Sequence, residues 1–242
     1  MTVPRPLAQT AAVLVAGGGL LLAAALAAVH ALLPLDAVSI AVAGGSYIFA
    51  GSLLVSRIGA FHLHRDFGVA NMLTLARLVV ACALTGFAAE VVAGGLADAA
   101  VAWLVFGLSA GALVLDWLDG FAARRLGQVS AFGARFDMEV DAFLILVLSA
   151  IAFVLGKAGA WVMLSGLLRY FYVAAGAVWP RFTRALPPAF RRKMIAAIQG
   201  CTLTGLLIPV LQPPVTSAAA ALALALLVYS FGTDIILQAR RS

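Results

Sequence analysis

Residues 116–141 read DWLDGFAARRLGQVSAFGARFDMEVD, and this stretch holds five of the ten acidic residues in a chain that is 64% hydrophobic. Asp116 and Asp119 stand three apart and Asp137 and Asp141 four apart, so on helices each pair shares a face. Both pairs adjoin long apolar runs: residues 112–119 are ALVLDWLD, and Asp141 is followed by AFLILVLSAIAFVL. A carboxylate at membrane depth is expensive and marks a functional site by default. Four anions converging there would repel one another unless a cation lay between them. An all-oxygen ligand set suits a hard divalent ion such as Mg2+. Aspartates also cap helix ends and line solvated loops, but four in register, with Gly120, Arg124 and Gly133 interleaved, favour a metal site.

Composition places the flanking runs in a bilayer. With 242 residues, only 11% of them charged, and a mean hydropathy of +1.09, the chain is too apolar for a soluble domain. The predicted class is an all-α, polytopic membrane protein. Cys82 and Cys201 each lie inside an apolar run, which indicates neither a disulfide framework nor a thiolate metal site. Near the N-terminus, Arg5 precedes an apolar run longer than a signal-peptide core, and that run is read as a retained span.

Eight apolar segments can be marked, at about 11–33, 37–56, 72–93, 97–118, 138–156, 158–179, 194–211 and 215–237. Each is close to the roughly 20 residues that a bilayer core requires, so eight transmembrane helices are expected. Turn and charge signals separate them: Pro34, residues 57–66, Gly94-Gly95, Gly156-Lys157, residues 180–193 and Pro213-Pro214. Small residues crowd the spans, as close helix packing in lipid favours.

Basic residues then orient the spans. With Arg5 inside, the even-numbered connections hold Arg57 and Arg65, then Arg124, Arg125 and Arg135, then Arg181, Arg184, Arg191, Arg192 and Lys193, and the tail adds Arg240 and Arg241. The odd-numbered connections carry Asp36, Glu90, Asp98 and a single basic residue, Lys157. The bias puts both termini and the aspartates at the cytoplasmic face of a cell inner membrane. The +6 net charge is therefore topological and turned toward membrane lipids, with no nucleic-acid partner expected. No internal repeat stands out.

Residues 59–67 alternate apolar and polar just before the third span and suit a short interfacial segment. His62 and His64 are two apart and would not share a helix face, so a headgroup-level loop is expected there rather than a metal site.

Written as a pattern, the central stretch is D-x2-D-G-x2-A-R-x8-G-x3-D-x3-D, with Asp116, Asp119, Gly120, Ala123, Arg124, Gly133, Asp137 and Asp141 in its fixed positions. This resembles the signature of the CDP-alcohol phosphotransferase family, membrane enzymes that make phospholipids. A second segment agrees: Asn71-Met-Leu-Thr74-Leu-Ala-Arg77 is similar to the N-x-L-T-x-x-R segment that often opens the family's six-helix core. The resemblance covers about residues 67–238. It divides the chain into a two-helix extension at 1–58, an interfacial segment at 59–70 and a six-helix catalytic membrane domain at 71–242.

The resemblance implies transfer of a phosphatidyl group from a CDP-linked lipid, such as CDP-diacylglycerol, to a small alcohol, with release of CMP. It implies that Asp116, Asp119 and Asp137 are metal ligands and that Asp141 is the base. It also implies that the cytidine end meets the Asn71–Thr74 region and the surface of Gly120, Ala123 and Gly133, with Arg77 counted in the same donor site. The chemistry of the residues is consistent with this. Mg2+ or Mn2+, two ions in all with Asp141 touching the second, would neutralise charge on the leaving phosphates. Arg124 offers a permanently charged fork to phosphate oxygens. Gly120 and Gly133, lacking a β-carbon, let a nucleotide or a helix approach the backbone. Asp141, one turn beyond Asp137, is placed to take a proton from an attacking hydroxyl. Glu139 lies two residues from each motif aspartate and is left out of the ligand set. Homodimers occur in the family, and a homodimer is an expectation by resemblance alone.

For the acceptor, Arg169 is a basic residue well inside a span, and such a charge faces a cavity or a partner. With Arg184, Arg191, Arg192 and Lys193 it would suit a polyol phosphate, glycerol 3-phosphate or inositol phosphate. Against glycerol phosphate, residues 137–142 read DMEVDA, whereas phosphatidylglycerophosphate synthases tend to a DPVADK-like run. An uncharged or zwitterionic acceptor, serine, inositol or choline, is the alternative within the family. Outside it stand a cation transporter and a catalytically silent scaffold. No acidic path continues through the other half of the spans, and no motif aspartate is missing.

Overall fold

The computed structural model describes residues 5–61, 67–94, 99–125, 130–179 and 189–239. They form α1 (Arg5–Leu32), α2 (Ala37–Phe61), α3 (Val69–Val92), α4 (Ala99–Arg125), α5 (Ala131–Val154), a short 3-10 turn (Ala160–Met163), α6 (Leu164–Val178), α7 (Phe190–Leu206) and α8 (Val215–Ala239), with no strand among the described residues. The order and type of element follow the apolar segments in turn. Ends differ where helix continues past the apolar residues: α4 runs through the first aspartate pair to Arg125, and α5 opens six residues before Asp137. Of the interfacial segment, Gly59–Phe61 extend α2, while 62–66, with His62 and His64, lie outside the described residues.

Among the described residues, six helices are long and apolar enough to cross a membrane: α1, α2, α3, α4, the 3-10 turn with α6, and α8. That is the make-up of an integral membrane protein. The remaining two of the eight expected spans, α5 and α7, are not among them. α7 has 17 residues and opens with Phe190 followed by Arg191, Arg192 and Lys193. In α5, Asp137, Glu139 and Asp141 occupy the first half, and the apolar run after them is about 20 Å long at 1.5 Å per residue.

The chain divides into two compact units, residues 1–144 and 145–242. In the first, α3 is the centre and packs against α1, α2 and α4. More than half of its span is buried, including Leu75, Leu78, Ala81, Cys82, Leu84 and Phe87. Close approach depends on small residues, as lipid supplies little drive of its own. A β-carbon on Gly86 would lie 2.9 Å from the Ser39 carbonyl oxygen of α2 and 3.0 Å from the Ala43 Cβ. Two polar ties fix the leading helices. The Tyr47 hydroxyl of α2 donates to the Val15 carbonyl of α1 at 2.7 Å, and the buried Glu90 carboxylate of α3 accepts the Asp36 N–H at 2.8 Å. The latter satisfies a donor at the start of α2, where the helix itself offers no partner.

In the second unit, α8 packs against α7 and α6. Lys157, the single basic residue of the odd-numbered connections, is buried. Its ammonium donates to the carbonyls of Leu211, Pro209 (3.3 Å) and Ile208 (3.4 Å), just beyond the C-terminus of α7, where a cation is favoured by the helix dipole. Its own carbonyl accepts the Thr216 hydroxyl at 2.6 Å and the Ser217 hydroxyl at 3.2 Å. Burial lowers the ammonium pKa from its usual range. Lys157 is thus a clasp between two connections.

Candidate active site

The first unit brings α3, the C-terminal part of α4 and the start of α5 together around Arg77. Ser130 starts α5 as its N-cap: its hydroxyl accepts the Gly133 N–H at 2.9 Å and its carbonyl the Ala134 N–H at 3.0 Å. From that start, Asp137 falls two turns in and Asp141 one turn later. Phe67, just before α3, sets its ring 6.5 Å from Phe132 of α5, so the openings of the two helices are packed together.

Gly133 then faces Asn71. A β-carbon on Gly133 would lie 2.7 Å from Asn71 Oδ1 and 3.1 Å from Ser130 Oγ. Asn71 is buried and its amide donates to the Phe67 carbonyl at 2.5 Å. One turn on, the buried Thr74 hydroxyl reaches Asp119 Oδ2 and the Ala70 carbonyl, each at 3.1 Å. One turn further, Arg77 is 1% exposed. Its Nη1 lies 2.9 Å from Asp116 Oδ1, 3.0 Å from Asp119 Oδ2 and 2.6 Å from Asp137 Oδ1, and its Nη2 donates to Asp141 Oδ1. All four motif aspartates therefore meet one guanidinium. With all ionised, the site keeps an excess of three negative charges. Asp119 is buried while the Asp116, Asp137 and Asp141 side chains stay 38–44% exposed, so the cluster has an open side for a ligand.

Asp116, Asp119 and Asp137 each offer a carboxylate oxygen within 4.8 Å of the others. Three hard oxygen donors this close fit a divalent ion of the Mg2+ or Mn2+ type. The residue types match as well: carboxylates with no sulfur or imidazole among them.

The comparison with protein families matches residues 67–229 to the CDP-alcohol phosphatidyltransferase family. The chain belongs to that family. It is accordingly a transferase, of a family that moves a phosphatidyl group from a CDP-alcohol and depends on divalent metal. No curated relative and no solved structure matches the chain. The matched residues begin at Phe67, so α1 and α2 precede them, and these two helices cover a flank of α3.

The other expected site residues are distributed as follows. Gly120 lies in α4 with its backbone partly exposed; the side chains of Ala123 and Arg124, and all of Arg184, lie outside the described residues. Glu139 is exposed. In the second unit, Arg191 donates to Asp234 Oδ1 at 2.6 Å and to the Ser230 carbonyl at 2.8 Å, and Arg192 reaches the same Asp234 oxygen at 3.3 Å. Asp234 is buried and had no part in the sequence reading. A lone acid inside the apolar run of α8 was the available signal. Arg169 is half-buried and Lys193 exposed.

Proposed function

We propose that this chain transfers the phosphatidyl group of a CDP-linked lipid, CDP-diacylglycerol or a close analogue, to an alcohol and releases CMP. The observation that carries this is the convergence of three carboxylate oxygens within 4.8 Å in a chain matched to the family. Asp116, Asp119 and Asp137 would hold Mg2+ or Mn2+, with Asp141 at a second ion. Bound there, the metal would neutralise charge on the departing CMP phosphate. Asp141 accepts the proton of the acceptor hydroxyl. The hydroxyl oxygen forms a bond to the lipid-side phosphorus as the bond from that phosphorus to the CMP oxygen breaks. Asn71, Thr74, Gly120, Ala123 and Gly133 form the cytidine side, and Arg77 and Arg124 serve the phosphates.

We place both termini and the site at the cytoplasmic face of the inner membrane, with α5 and α7 as the remaining two of eight spans; the distribution of basic residues supports this. The acceptor is a polyol phosphate, such as glycerol 3-phosphate or inositol phosphate. Arg191 and Arg192 meeting at one carboxylate supports this: guanidiniums gathered there suit a phosphate, and Arg169, Arg184 and Lys193 are the further candidates to bind it. The test is incubation of the purified protein with labelled CDP-diacylglycerol and glycerol 3-phosphate, inositol phosphate, inositol, serine or choline. Product lipid identified by mass should appear with a phosphorylated polyol; product with serine or choline alone would overturn the acceptor assignment.

A further inference from the structure

We propose that Arg77 is a tethered cation that competes with the divalent ion for the aspartates, holding the site assembled until metal displaces it. This rests on the metal reading above. Arg77 Nη1 lies within 2.6–3.0 Å of Asp116, Asp119 and Asp137, the three residues whose oxygens could share one ion. A guanidinium nitrogen and a divalent ion cannot both occupy the space between the same three oxygens. An ion held at the about 2.1 Å typical of Mg2+ would face a positive charge at van der Waals range. Arginine cannot escape by losing its proton. It must move.

Two further observations suit a residue that moves. Arg77 Nε is buried with no hydrogen-bond partner, so the carboxylates hold the guanidinium in a pose that leaves one donor unsatisfied, which is unfavourable in an apolar interior. Its Nη2 already rests on Asp141, outside the three-residue set, a contact that an ion held by those three residues does not contest. The physical need is plain: α4 and α5 carry four carboxylates toward one point, and a cation from α3 keeps them from repelling during folding. Arg77 is thus a positioning residue for the metal site, and once displaced it becomes available to the donor's phosphates.

The experiment uses the full chain in detergent, as wild type, Arg77→Gln and Arg77→Lys, with Mn2+ binding followed by paramagnetic resonance and thermal unfolding followed in chelator and in saturating Mn2+. Competition predicts that R77Q binds Mn2+ about tenfold tighter than wild type, and that R77K, a shorter and less forked competitor, falls between. In chelator R77Q should unfold several degrees below wild type, and Mn2+ should close that gap. Equal or weaker Mn2+ binding by R77Q overturns the proposal while leaving the metal reading intact. If R77Q does not fold even with Mn2+, R77K decides: affinity no tighter than wild type overturns it. A wild type that takes up no Mn2+ sinks both this proposal and the metal reading.

Discussion

Thr74 of α3 sets its hydroxyl 3.1 Å from Asp119 Oδ2 of α4, the same oxygen that Arg77 reaches at 3.0 Å. Both donors lie on successive turns of one helix, so α3 presents a short ladder to a carboxylate buried in the core. Replacing Thr74 by Val keeps the shape and removes the donor. Its expected cost is about 1–3 kcal/mol, read by thermal unfolding in detergent, with reduced turnover. Thr74→Ser should restore both.

Gly133 separates two effects. Ser130→Ala removes the α5 cap and should cost about 1 kcal/mol with the donor KM unchanged. Gly133→Ala places a methyl 2.7 Å from Asn71 Oδ1, forcing Asn71 off the Phe67 carbonyl. A several-fold rise in the KM for CDP-lipid should follow, measured at saturating acceptor. An unchanged KM would remove Asn71 from the donor site.

Most of the fold was legible because each span announces itself by apolar length and each break by Pro, Gly or charge. The motif aspartates were legible for a related reason: spacing along one helix fixes which side chains share a face. What spacing cannot reveal is reach between helices. Arg77 stood out only as the last residue of N-x-L-T-x-x-R, and its contact with all four aspartates depends on how α3 packs against α4 and α5. Asp234 was missed because its partners Arg191 and Arg192 lie 43 and 42 residues away, with no local pattern to join them. α5 and α7 read as spans by their apolar halves, yet Asp137, Glu139 and Asp141 in the one and Arg191, Arg192 and Lys193 in the other leave shorter apolar runs.

Asp234→Asn should loosen Arg191 and Arg192 together and destabilise the chain by about 1–3 kcal/mol. If the two guanidiniums receive the acceptor's phosphate, glycerol 3-phosphate or inositol phosphate should raise the melting temperature of the variant more than that of wild type, because the anion replaces the missing carboxylate. Equal shifts in both proteins would move the acceptor site elsewhere.

Lys157→Met should orphan carbonyls after α7 that the ammonium now satisfies. A loss of about 1–3 kcal/mol in thermal or denaturant unfolding is expected, with both KM values unchanged. A selective change in one KM would give this clasp a part in substrate binding.

The most direct measurement is CMP release from CDP-diacylglycerol by the purified chain, in graded Mg2+ and in excess chelator, for wild type and Asp119→Asn. CMP should appear one for one with product lipid, require the divalent ion and alcohol acceptor, and fall by at least about a thousandfold (roughly 4 kcal/mol of transition-state stabilisation) in the variant. Release undiminished by exhaustive chelation, or by loss of the Asp119 charge, would contradict the account.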